Sequence, residues 1–79
     1  MNRLIIIFQP SYLQKISVWH DKDKIYSTAI PKKHVEDEIQ DILQEYQIDE
    51  ISVFGDKFDY IEYLKTKLPN LTDYKIIKY

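Results

Sequence analysis

At Pro31 the apolar residues of this chain change their period, and that change constrains the fold more than any other feature of the sequence. Before it, apolar and β-forming residues come in three short runs: RLIIIFQ over 3–9, QKISVWH over 14–20 and KIYSTAI over 24–30. After it, Val35, Ile39, Ile42, Leu43 and Tyr46 fall at steps of four, three, one and three, the stripe of one amphipathic helix. Pro31 suits a first helical turn, and Glu36, Asp37 and Glu38 complement the positive end of a helix dipole, so a helix is expected over 32–46. An apolar run, Glu50–Phe54, follows between Asp49 and Gly55 and reads as a buried strand. A second helical stripe of Ile61, Leu64 and Leu68 is closed by Pro69 and Asn70, and an alternating run over 74–79 reads as a last strand. The order of elements is βββαβαβ.

Each run carries its own information. Residues 4–8 are apolar on both faces of a strand, the pattern of a central strand buried on both sides, and Pro10 ends its pairing. In the second run Ile16 and Val18 point one way, Ser17 and Trp19 the other. Asp21-Lys22-Asp23 is a polar turn, so the second and third runs form a hairpin. A helix between two strands implies a right-handed crossover, which makes the fourth strand parallel to one of the first three. The economical solution is an antiparallel meander of three strands with two strands added in parallel beside the first, and one helix on each face. With 79 residues, one core is the sensible count. The expected fold is a single α/β (α+β) domain over 1–79 with a five-stranded mixed sheet and two helices. Gly55, the only glycine, should make the sharp exit from the fourth strand, with Asp56 and Asp59 capping the helix behind it.

The order, with the stretch IIIFQPSYLQKISVW, resembles the core of the ribonuclease H-like fold shared by RuvC-type resolvases. In that family the first strand ends in a catalytic Asp; the matching position here is Gln9, followed by Pro10. The second acid of the family lies near the end of the fourth strand, where this chain has Phe54 and Gly55. A two-metal phosphodiester mechanism needs converging carboxylates, and a glutamine amide does not supply their charge. The resemblance therefore implies the scaffold without the activity.

The residues give no competing chemistry. There are no cysteines, and the only histidines, His20 and His34, lie far apart in sequence. Ser11, Ser17, Ser27 and Ser52 sit in no nucleophile motif, and Gly55 lacks the further glycines and Lys-Ser/Thr of a phosphate loop. No catalytic residue, cofactor or metal site is expected.

Charge is the remaining signal. Residues 1–35 hold six basic and two acidic side chains, residues 36–62 ten acidic and one basic, and residues 63–79 four basic and one acidic. The acidic block suggests a docking face for a basic protein partner, with Glu38, Asp41, Glu45, Asp56 and Asp59 as its acids and Tyr60 and Tyr63 as aromatic contacts. The expected function is thus a small non-enzymatic binding protein. Its Lys-, Ile-, Tyr- and Asp-rich composition would suit an accessory protein of a virus or mobile element acting in the cytoplasm. Two alternatives stand beside it. Scattered lysines with Tyr12, Trp19 and Tyr26 could handle nucleic acid. The third and last strands could also be open edges that pair two copies. The longest apolar run, Leu4–Phe8, is too short to cross a membrane.

Overall fold

The computed structural model describes residues 1–79. Five strands, β1 (Asn2–Ile7), β2 (Leu13–His20), β3 (Asp23–Pro31), β4 (Glu50–Phe54) and β5 (Lys75–Lys78), form one sheet in the order β3-β2-β1-β4-β5. The pairs β1–β2 and β2–β3 are antiparallel, and β1–β4 and β4–β5 are parallel. This is the meander with two added parallel strands that the sequence pattern implies. A 3₁₀ turn, Lys32–His34, leads into α1 (Val35–Glu45), and α2 (Tyr60–Lys67) is followed by a second 3₁₀ segment, Pro69–Asp73.

Both helices lie on the same face of the sheet, not one on each. A single core cluster joins Leu4, Ile6, Ile16, Val18, Ile51 and Val53 of the strands to Val35, Ile39 and Ile42 of α1 and to Ile61 and Leu64 of α2. Registers place Leu4 between Val18 and Ile51, and Ile6 between Ile16 and Val53, so these residues share one face. The reason is geometric. β3, β4 and β5 run parallel, and both crossovers step in the same direction across the sheet. Two right-handed crossovers that step the same way must place their helices on the same side. The first strand is therefore buried on one face only: Leu4 and Ile6 are fully buried, whereas Ile5 and Ile7 are only partly so.

Local chemistry explains the joints. The β2–β3 hairpin closes with two residues, since His20 pairs with Asp23, and Asp21 adopts a left-handed φ of 52°. Gly55 leaves β4 with φ 71°, a region open to glycine at no steric cost. The helix behind it starts later than a cap at Asp56 would place it. Asp56 reaches forward, and its carboxylate accepts the backbone N–H of Tyr60 at 2.7 Å and of Ile61 at 2.9 Å. Asp59 occupies the residue before α2 in the left-handed region, φ 53°, and its side chain makes no cap.

Candidate functional site

The acidic block is dispersed by the fold. Glu38 is half-buried and accepts a hydrogen bond from the Tyr26 hydroxyl. That bond, with some burial, holds the Tyr26 hydroxyl above its ordinary pKa. Asp49 accepts the Asn2 N–H at 2.8 Å, and Glu50 sits between Arg3 at 3.0 Å and Lys75 at 3.7 Å. The Asp56 carboxylate is only 3% exposed and is occupied with the α2 amides; Asp59 pairs with Lys78, whose ammonium this contact raises. Glu62 pairs with Lys65 at 2.7 Å. Glu36, Asp37, Asp41 and Glu45 remain, all on α1. Of these, Asp37, Asp41 and Glu45 are exposed at four-residue spacing and make no salt bridge. So Asp41 and Glu45 stand on a common acidic stripe, while Glu38, Asp56 and Asp59 are tied into the fold.

Tyr60 and Tyr63 do come together, stacked at 5.4 Å. Tyr60 is half-buried, edge-on to Phe8 at 5.6 Å, with the Lys32 ammonium 4.5 Å above its ring. Burial first, then Tyr63 and Glu36, push its hydroxyl pKa up. Tyr63 is the exposed member of the pair.

The larger finding is the face of the sheet that carries no helix. Alternation turns Arg3, Ile5 and Ile7 of β1 to this side. Ile5 is flanked by Ser17 of β2 and Ser52 of β4, and Ile7 by Lys15 and Phe54. Ser27 and Ala29 continue these rows on β3, and Ile77 continues the Ile5 row on β5. Small serine and alanine side chains beside isoleucines leave a groove of about 510 Å³, bounded by Ile5, Ile7, Trp19 and Lys24. Trp19 donates its indole N–H to Ser17 Oγ at 3.0 Å, and the Lys24 ammonium lies 5.7 Å from its ring centroid. Phe54 and Tyr79 stack at 4.5 Å at the far corner. The cations of this face are Arg3, Lys15, Lys24 and Lys75; its one acid, Glu50, is already shared by two of them.

A second hollow, about 560 Å³, lies at the C-terminal edge of the parallel strands, between the β1–β2 connection, the start of the 3₁₀ turn before α1 and the β4–α2 connection. Gln9 and Gln14 brace its first wall. The Gln14 Oε1 accepts the Gln9 N–H at 2.7 Å, Gln14 Nε2 donates to the Ser11 carbonyl at 3.0 Å, and Gln9 Nε2 donates to the Leu13 carbonyl at 3.0 Å. Nowhere do three His, Asp or Glu side chains converge as a metal site would need. No helix is long and apolar enough to cross a membrane.

Comparison with known proteins finds no family model, no curated protein and no solved structure that matches this chain.

Functional reading of the chain therefore rests on these surfaces. Sequence reasoning gave weight to the acids and passed over the uncovered face, although the signal was present. Ile5 and Ile7 are apolar residues on the side of β1 opposite the core, and with both helices on the other face neither helix covers them.

Proposed function

We propose that this chain is a non-enzymatic protein-binding module built on a ribonuclease H-like strand order, and that the uncovered sheet face is its docking surface. The order β3-β2-β1-β4-β5 with a three-strand meander and two parallel additions supports the architectural part. Gln9 and Gly55 at the places of the nuclease acids support a scaffold without phosphodiester chemistry.

One observation carries the docking surface. Sheets with parallel strands are normally covered on both faces, yet Ile5, Ile7 and Ile77 lie on a side with no covering layer. The partner is an amphipathic helix of another protein. Its apolar stripe would fill the groove beside Ile5 and Ile7, and acids flanking that stripe would meet Arg3, Lys15, Lys24 and Lys75. A second copy of the same face is a poor occupant, because even with Glu50 shared by Arg3 and Lys75 each face keeps a positive excess that would meet another.

A photo-crosslinking residue at Ser17, in the groove, and another at Gln40, on the outer side of α1, test the assignment. The expected result is a crosslink from Ser17 to a helical segment with flanking acids. A peptide of that segment should bind the protein and lose binding to Ile5→Arg. Crosslinks from Gln40 alone, or Ser17 crosslinks to a second copy, would overturn it.

A further reading concerns α1. Asp37, Asp41 and Glu45 are exposed at i, i+4 spacing without counter-ions, an arrangement that costs the helix a few tenths of a kcal/mol per pair. A basic partner docking along this stripe would offset that repulsion. Asp41→Lys with Glu45→Lys should then slow association with a partner identified through Gln40 and leave Ser17 crosslinks unchanged.

A further inference from the structure

The chain leaves β1 toward β2 on one side and leaves β4 toward β5 on the other. Between such divergent connections an open sheet has a crevice at the carboxyl ends of its strands. The hollow of about 560 Å³ lies there, within the size range of small-molecule sites.

Its walls are fixed. The two glutamine braces hold the 9–14 connection, and the Phe8 N–H donates to the Phe54 carbonyl at 2.8 Å, tying that connection to the exit of β4. Its charge is mostly positive. Lys32, Lys33 and Lys57 line it, and Lys33 and Lys57 have no acidic partner anywhere in the fold. The one lining acid, Asp56, has its carboxylate folded inward onto the α2 amides. Although the chain carries a net charge of −2, this crevice gathers lysines without acidic partners. Its aromatics are equally specific: Tyr12 is 73% exposed and Phe58 88% exposed, and both line the hollow. Two large rings left in water beside free ammonium groups match a ligand that has both a planar face and an anion.

We infer that this crevice binds a phosphorylated nucleoside, its phosphate on Lys33 and Lys57 and its base against Tyr12 or Phe58. The same chemistry is offered by a free nucleotide and by the 5′-phosphorylated end of a single strand. The site is separate from the docking face, and the inference stands whether or not that face has a partner.

Amide-resolved NMR titration of the full chain with AMP, and separately with 5′-phosphorylated hexathymidylate, tests it. Either probe should shift the amides of Gln9, Ser11 and Tyr12 and of residues 32–33 and 55–58, and leave those of Ile5 and Ser17 unmoved. Whichever binds tighter identifies the source. Lys33→Glu with Lys57→Glu, shown folded by its amide dispersion, should weaken binding about tenfold or more, with a steep loss as salt rises. Tyr12→Ala with Phe58→Ala should weaken it about fivefold or more while leaving any inorganic phosphate binding unchanged. Absence of shifts with both probes would overturn the inference. So would binding that survives the lysine reversal, or inorganic phosphate that binds as tightly as AMP.

Discussion

The carbonyl oxygen of Phe8 lies so close to the Cα of Gly55 that a methyl group built on that carbon would sit 2.3 Å from it. Two constraints thus coincide at the only glycine: a left-handed φ of 71° and close approach to the backbone of Phe8, just beyond β1. Gly55→Ala should cost about 3 kcal/mol, combining left-handed strain of about 1–3 kcal/mol with the backbone shift that the methyl forces. Urea unfolding measures this. Gly55→Asn separates the parts, because asparagine accepts the φ but still carries a Cβ. Asparagine should recover less than half of the loss; full recovery would mean that the close approach to Phe8 costs nothing.

Asp56 and Asp59 look interchangeable in sequence, and the structure makes them opposites. Asp56 spends both carboxylate oxygens on the Tyr60 and Ile61 amides in a half-buried setting. Asp56→Ala should destabilise by about 1–2 kcal/mol, the usual effect of losing a cap. Asp59 makes no cap and holds a left-handed φ of 53°, so Asp59→Gly relieves strain while losing an exposed pair with Lys78. Its net effect should stay within about 0.5 kcal/mol of zero in either direction. Comparable losses for the two variants in thermal unfolding would mean that the capping roles are misassigned.

The change of period at Pro31 made the element order legible, and right-handed crossovers with economical pairing made the sheet order legible. The two helices on one face were also within reach of that rule, applied to both crossovers together. The acids were a different case. What each acid does depends on a residue far away in sequence: Asn2 for Asp49, Arg3 and Lys75 for Glu50, Tyr26 for Glu38, Lys78 for Asp59. A charge count along the chain cannot see such pairings, so a block that is −9 in sequence becomes one acidic helix stripe in space. The late start of α2 had the same origin, since Asp56 caps from four and five residues upstream and not from the position next to the helix.

The Tyr26–Glu38 contact predicts a pH dependence. Its hydrogen bond, aided by burial, raises the Tyr26 hydroxyl above its ordinary value near 10. The unfolded chain therefore loses this proton first as pH climbs. The stabilisation is fully present below about pH 10 and is lost as pH rises through the folded value. Lys78, raised by Asp59, and Tyr60, raised by burial, act in the same direction. Tyr26→Phe should lower stability at pH 8 by about 1 kcal/mol and flatten, without abolishing, the decline above about pH 10. Parallel declines in the two proteins, followed by urea midpoint, would show that the hydroxyl has no part in it.

Ile5 and Ile6 are adjacent in β1, have the same side chain and point to opposite faces, so they report directly on whether one face is uncovered. Ile6 is fully buried between Ile16 and Val53 beneath the helices. Truncation to alanine there removes three carbons from a closed core and should cost about 3 kcal/mol. Ile5 lies between Ser17 and Ser52 on the open side and retains partial exposure. Its truncation should cost less, about 1–2 kcal/mol, because part of the same apolar surface is already in contact with water and no closed cavity is left. Ile5→Lys should likewise fold, with its ammonium in solvent, whereas Ile6→Lys should not. The comparison is made by urea unfolding at two protein concentrations tenfold apart. An Ile5→Ala cost equal to that of Ile6→Ala at both concentrations would mean that the chain covers this face itself, and the docking surface would not exist. A cost that grows with concentration would mean that a second copy covers it. A small cost independent of concentration leaves the groove open for a partner, which in turn should raise the unfolding midpoint of the native chain and not that of Ile5→Lys.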